Sequence, residues 1–356
     1  ADPFAPVATC VNGLSYDDLW QAVFGAELPR SHMVLSYGWC PACRQTVDKY
    51  GWESDPFTGS WKMVCPACRE AFPKNDFGAY YRSGLDARGI FRRELADPGR
   101  LYNAAAPDPR HPQHQFGVDD GTGYREGADR WMFVGTYLVH LWERFVYAGI
   151  VALARAFVLT GNLSYARRCG VLLDRVADVF PDFDFYEQGV MYEEERTSRG
   201  YVSYWCLTTV QLRELALAYD AVFEALRGDA DFVDLVVDRS ARFQTPYRKA
   251  CFADFQRNVE NRIFADAMSQ PWKIASNYPW PEVFATTARM VLSNWPEQPS
   301  DMATGVYTCQ QRIVEEDLDR ILANVTKADG LSGEKGLAGY SPIALNETAR
   351  LIALCG

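Results

Sequence analysis

Two copies of one tetrapeptide, Cys40-Pro41-Ala42-Cys43 and Cys65-Pro66-Ala67-Cys68, stand in a 356-residue chain with residues 44–64 between them. Each presents two thiols from a single tight turn, and the intervening segment is long enough to fold one pair onto the other. Four thiolates fill a tetrahedral zinc site and leave no position for water, so the expected ion is a structural Zn2+ held by Cys40, Cys43, Cys65 and Cys68. The competing reading is a disulfide or redox motif. A disulfide closed within one C-x-x-C turn is strained and reactive, which favours the metal. The other six cysteines, Cys10, Cys169, Cys206, Cys251, Cys309 and Cys355, are scattered. Cys169, Cys206 and Cys251 fall in apolar helical patterns and are expected to be buried free thiols.

Four stretches differ in character. Residues 1–30 hold one helical segment, from Tyr16 to about Phe24. Residues 31–80 form the small zinc-binding insert, with short β-like runs such as Trp61-Lys62-Met63-Val64. Residues 81–130, rich in Gly, Pro and Asp, read as a long ordered loop, a length that usually has a purpose. From residue 131 to 356 the spacing of apolar residues is helical. Trp131–Leu159 forms one long apolar helix or a tight pair, broken at Gly161-Asn162. Tyr165–Val179, Val202–Leu226, one or two helices over Ala230–Met268, then Pro281–Leu292, Cys309–Val325 and Ile343–Leu354 follow. Strand-like alternation is scarce after residue 130, so the fold class is mainly α, an array of helical hairpins. The chain begins at Ala1 and stops at Cys355-Gly356 in or just after a helix, and the natural polypeptide is expected to continue.

A net charge of −10 argues against wholesale nucleic-acid binding, which needs a basic face. No apolar run reads as a membrane span; the longest, Phe145–Leu159, contains Arg155. Aromatic residues make up 14% of the chain, which fits either a large helical core or a cleft lined with rings, on which the C–H faces of sugars pack.

The chain has four histidines, His32, His111, His114 and His140. His111 and His114 lie in the Pro/Asp loop as candidate ligands or bases, or as ordinary loop residues; His140 lies in an apolar helix and reads as a satisfied core histidine. There is no nucleophile elbow, Walker loop or H-E-x-x-H motif. Asp119-Asp120 and Glu193-Glu194-Glu195 supply carboxylates that a glycosidase would need. Two further segments precede helices: Lys273-Ile274-Ala275-Ser276-Asn277-Tyr278-Pro279-Trp280, and the glycine-rich Ala328–Tyr340, whose glycines let backbone approach a ligand closely.

In this order along the chain, the cysteine pair with Phe72-Pro73-Lys74-Asn75-Asp76-Phe77, the loop Gly117-Val118-Asp119-Asp120-Gly121-Thr122-Gly123-Tyr124, Ala156–Asn162 with Tyr165-Ala166, and the Asn277 and Tyr340 segments resemble the N-terminal region of heparinase II/III-like polysaccharide lyases. The resemblance runs from about residue 30 to the end. It implies an incomplete (α/α) toroid, usually followed by β-sandwich layers, and β-elimination on polysaccharides that contain uronic acids. It matches Asn277 to the group that neutralises the uronate carboxylate and Tyr340 to the tyrosine that protonates the leaving oxygen. Lys335, Lys273 and Arg289 are candidate cations for lowering the tyrosine pKa. Tyr278 stands where the family often has His, and the family's further His comes from a β-sandwich outside this chain. Tyr340 is therefore expected to act as both base and acid, or to be joined by His111 or His114, or to need a missing β-sandwich domain or a second copy of the chain. Tyr278 and Trp280 are expected at the substrate; Arg196 and Arg199 are expected to bind carboxylate or sulfate, or to pair on the surface.

The partner expected is an anionic polysaccharide. Two other readings stay open: a helical-barrel glycoside hydrolase using Asp119, Asp120 or a glutamate, and a non-catalytic glycan-binding or scaffold protein. A polysaccharide substrate suggests a secreted or periplasmic location, whereas a reduced thiolate quartet suits the cytosol better.

Overall fold

The computed structural model describes residues 5–25, 28–35, 38–183, 189–190, 208–245, 247–270, 273–274, 276–292, 316–323 and 341–355. It is mainly helical, as the periodicity predicts. Helices α1 (Ala5–Asn12) and α2 (Tyr16–Ala22) open the chain. Ser15 caps α2 by accepting the Asp18 N–H at 3.1 Å, and the Asp18 carboxylate answers from the other side, which explains why this helix starts at Tyr16.

A short helix, α3 (Phe77–Ser83), precedes the Pro/Asp loop. The long apolar segment then forms α4 (Phe133–His140), a π-helical stretch (Leu141–Tyr147) and α5 (Ala148–Thr160) without a break. All eight residues of α4 are buried, so no amphipathic period is needed there. Gly161 closes α5 in the left-handed region at φ 66°, and Asn162 caps α6 (Leu163–Val179) through the Ser164 N–H at 2.9 Å. This two-residue break makes α5 and α6 a helical hairpin. Helix α7 (Thr208–Arg227) packs on both. Next come α8 (Ala230–Arg242), α9 (Phe252–Val259), which runs on through a π-helical turn (Glu260–Ala265), α10 (Trp280–Val291), the helical residues 316–323 and α11 (Ser341–Cys355). Helix α10 packs against both α7 and α11.

Strands are short among the described residues, and two of the three pairings are local. β1 (Arg30–Ser31) pairs in parallel with Gly189–Val190; β2 (Met63–Val64) pairs antiparallel with β3 (Ala71–Phe72); β4 (Tyr124–Glu126) pairs antiparallel with β5 (Asp129–Trp131). One buried cluster runs from Val11 to Leu292 and takes in Val47, Trp52, Met63 and Phe72 of the cysteine segment together with the α4–α7 core. Phe72 stacks on Phe133 at 4.7 Å between centroids, Trp52 meets Phe133 edge-on at 5.5 Å, and the Trp131 indole donates to the Trp39 carbonyl at 2.9 Å. Each such ring removed from water contributes about 2–3 kcal/mol, so the small module is held by packing onto α4 as well as by its own turns.

The His140 expectation holds. The ring is buried, its Nδ1 lies 2.7 Å from Ser54 Oγ, and burial lowers its pKa to about 3. Cys169 is buried as expected. Cys251 is not: it is exposed, because α9 starts one residue later and places Cys251 at the N-cap, with its thiol 3.5 Å from the Asp254 carboxylate. Cys206 and Cys309 lie outside the described residues.

Deep charges tie the helices together. Lys249 Nζ sits 3.0 Å from carboxylates of both Asp174 and Asp178 on α6, and the Asn258 amide of α9 donates to both at 3.0 Å. Burial works against the ammonium, but the two carboxylates outweigh it and hold the Lys249 pKa up. Arg213 of α7 pairs with Glu347 of α11, both buried.

Asp119 is the hub of the Gly/Asp loop. Its carboxylate accepts the Gly121 N–H at 2.7 Å, the Gly123 N–H at 2.9 Å and the Val134 N–H at 3.2 Å, the last at the start of α4. Its backbone exchanges two 3.0 Å hydrogen bonds with the Asn75 side chain. Burial nevertheless raises the Asp119 pKa to about 6. A carboxyl whose folded pKa lies above its unfolded value of about 3.9 binds its proton more tightly in the folded state. Its contribution is therefore greatest below pH ~4 and declines as pH rises through ~6. Chemical denaturation of the wild type and of Asp119→Asn across this window should give a stability difference that shrinks with rising pH. A difference that stays flat would remove Asp119 as the titrating group.

Candidate functional site

The two cysteine turns are built alike. Arg44 N–H donates to the Cys40 carbonyl at 2.9 Å and Arg69 N–H to the Cys65 carbonyl at 2.9 Å. The amides of Cys40 and Cys65 reach forward to the carbonyls of Gln45 (3.1 Å) and Glu70 (2.9 Å). Arg44 and Arg69 are both left-handed, at φ 60° and 65°, which lets each chain turn sharply after its second cysteine. Their guanidinium groups then pair with Glu126, at the end of the strand Tyr124–Glu126, and with Glu53.

The fold brings all four sulfurs within 4.8 Å of one another, with Cys40 Sγ and Cys68 Sγ 3.9 Å apart. A tetrahedron with metal–sulfur bonds of about 2.3 Å has sulfur–sulfur edges of roughly 3.8 Å, whereas a disulfide needs about 2.05 Å. Cys40 and Cys65 are buried; Cys43 and Cys68 are half-buried. Burial pushes the Cys40 thiol up to about 12, so this quartet carries thiolates at neutral pH when a cation is present to neutralise them. The arrangement suits a closed metal site that fastens β2 and β3 to the α4 core.

The lyase-type residues fall elsewhere. Asn277 is half-buried in the turn that leads into α10, where its carbonyl accepts the Trp280 N–H at 2.9 Å. Tyr278 is also half-buried, and its hydroxyl donates to the Ile321 carbonyl at 3.2 Å, which docks the turn on helical residues 316–323. Trp280 starts α10, half-buried, with its indole N–H unpartnered. Lys273 pairs with Asp266 and Arg289 with Asp317, so both cations already face carboxylates. His111 is exposed and accepts the Gln113 N–H at 3.2 Å; His114 stacks on Tyr102 at 5.7 Å, with Nδ1 2.9 Å from the Ala106 carbonyl. Both histidines brace the Pro/Asp loop. Tyr340, Lys335, Arg196 and Arg199 lie outside the described residues. Asp119, named for a hydrolase, is wholly buried with its carboxylate used on three amides, and Asp120 pairs with Arg93.

A cleft of about 630 Å³ opens between α2, the turn at residues 56–61, α3, α4 with its π-helical extension, and α6. Trp20, Trp61, Tyr81, Tyr137, Arg82 and Arg175 are among its walls. The aromatic content of the sequence hinted at such a cleft, but Trp20 and Trp61 have no sequence pattern that joins them.

Comparisons with protein-family models, with curated proteins and with solved structures return no match to this chain.

The four-sulfur geometry carries a direct expectation. Elemental analysis of the purified protein should find one metal ion per chain, and Cys68→Ser should lower its occupancy. Stripping the ion should expose Trp52 and Trp39, read as a red shift of tryptophan emission together with a lower melting temperature. A metal-free protein with an unchanged melting temperature would rule out the centre.

Proposed function

We propose that this chain is a polysaccharide lyase that cleaves uronic-acid-containing polymers by β-elimination, with Zn2+ as the structural ion of the cysteine quartet. The observation that carries the reading is the packing of α10 on α11. Asn277 lies in the turn that enters α10, and Tyr340 directly precedes α11 in sequence. A small cluster of Val283, Ile321, Ala344 and Leu351, with Tyr278 against it, joins α10, the helical residues 316–323 and α11. Asn277 thus leads into one of two helices in contact, and Tyr340 stands just before the other in sequence. The hairpin α5–α6, with α7 packed on both of its helices and α10 packed on α7 and α11, is the kind of helical layer from which an incomplete (α/α) toroid is assembled.

In this reaction a base removes the proton beside the uronate carboxylate. The electron pair left behind forms a carbon–carbon double bond as the bond to the glycosidic oxygen breaks, and that oxygen takes up a proton. The Asn277 amide neutralises charge building on the carboxylate, and Tyr340 moves the proton. A tyrosine of ordinary pKa near 10 needs a cation beside it to act as a base. Lys273 and Arg289 are engaged by Asp266 and Asp317, which leaves Lys335 for that task. Zinc suits the quartet because an all-thiolate donor set at tetrahedral spacing favours it, and with four protein ligands it takes no part in the chemistry. The glycoside-hydrolase alternative loses its clearest acid, since the Asp119 carboxylate is sealed from solvent.

A panel of uronic-acid polysaccharides followed by the ultraviolet absorbance of the unsaturated product tests the proposal. One substrate should respond. Tyr340→Phe should lower turnover by about 10²-fold or more, and Asn277→Ala by about 10²–10³-fold. New reducing ends without the unsaturated product would assign a hydrolase; inactivity on every substrate by a folded, metal-replete protein would overturn the lyase assignment.

A further inference from the structure

The cleft is lined by a buried charge that makes no ion pair. Arg175 of α6 is 2% exposed, yet no carboxylate among the described residues lies within ion-pair distance of it. One of its terminal nitrogens donates to the Gly89 carbonyl at 3.1 Å, its plane lies 3.6 Å over the Trp20 ring, and its Nε is buried with no partner. Asp174 and Asp178 on the same helix pair directly with Lys249 and act on Arg175 only at longer range. Burial lowers the Arg175 pKa only to about 10, so the group keeps its charge at neutral pH. A buried cation is costly to leave unpaired, and one that lines an open cleft is a ready anion receptor.

Three more features of the same cleft point the same way. Arg82 on α3 is exposed at its wall and has no hydrogen bond or ion pair among the described residues. The Trp20 indole N–H is buried and unpartnered. Trp61 sits in the left-handed region at φ 57°, which a bulky residue rarely adopts, with its ring stacked on Tyr137 at 5.2 Å and tilted against Tyr81 at 4.9 Å. Against the two guanidinium groups stands one lining carboxylate, Asp18, which is engaged in capping Ser15. No lining residue comes from α10 or α11.

We infer that this cleft is a second binding site, separate from the Asn277 segment, for a small ring-bearing carboxylate whose anion meets Arg175 and Arg82 and whose ring packs against Trp61 and its neighbours. The volume admits a molecule from one ring to about two sugar units. A sugar acid and an aromatic acid share this chemistry, and the site does not depend on the lyase assignment.

Titration calorimetry and tryptophan fluorescence of the full chain with glucuronate, with benzoate and with glucose provide the test. At least one carboxylate should bind and shift the emission, while glucose should not; glucuronate alone, or benzoate alone, would identify which kind of acid the cleft takes. Arg175→Gln should weaken binding about tenfold or more. Because Arg175 is buried, Arg82→Ala serves as the exposed partner and should weaken binding about threefold with an unchanged melting temperature. Tyr340→Phe should bind as the wild type does. Binding of neither acid, binding of glucose equal to glucuronate, or carboxylate binding unaltered in Arg82→Ala and Arg175→Gln would overturn the site, whatever the lyase assays give.

Discussion

The N-terminal half of this protein hangs on the meeting of four sulfurs. Between residues 31 and 80 the described backbone has few ladder hydrogen bonds, with two-residue strands and isolated bridges at Trp39–Thr46 and Glu53–Val64. Such a segment cannot offset its own conformational entropy by hydrogen bonding alone. The two cysteine turns close it into a fixed shape, and that shape presents Trp52, Met63 and Phe72 as an apolar face to α4. A bound cation would neutralise the four thiolates and cross-link the two turns.

Asp119 extends the fastening into the Gly/Asp loop. The carboxylate gathers amides from two glycines at φ 98° and 100° and from the first turn of α4, while Asn75 holds its backbone from the segment after β3. Gly121 and Gly123 are required there, since a side chain at either would meet Leu28 or Met132 and the backbone angle disfavours one. A stretch that carries no regular structure from residues 101 to 123 is ordered in this way by side-chain-to-backbone bonds. His114 on Tyr102 and Asn103 on the Gln113 carbonyl add to them.

The helical half follows a different logic, in which packing leads and buried charge sets register. The Lys249–Asp174–Asp178–Asn258 network fixes the approach of the 247–259 segment to α6, and the Arg213–Glu347 pair fixes α11 on α7. A network of this kind adds little net stability over apolar residues, but a misplaced register strands a charge, which is costly. Arg175 departs from that pattern: it sits one residue beyond Asp174, buried and without an ion pair, in the lining of an open cleft. The contrast on one helix separates the charge that holds the fold from the charge available to a ligand.

Much of this was legible in the residue order. The C-x2-C pair specified a four-sulfur centre because spacing within a turn is a local property. The Gly161-Asn162 break and the period of Val171, Leu172, Val176 and Val179 specified the α5–α6 hairpin for the same reason. Cys251 departs from the apolar helical pattern around it because α8 ends at Arg242 and α9 starts at Phe252, which leaves Cys251 exposed at the N-cap, and helix boundaries are weakly encoded. The cleft and its unpaired arginine were not legible at all. Trp20, Trp61, Arg82 and Arg175 come from four separate segments, and whether a guanidinium has a carboxylate beside it depends on where Lys249 lies in space. Local periodicity and short-range spacing thus determine the elements and the cysteine centre, whereas the partner of each buried charge is decided only when distant segments are packed together.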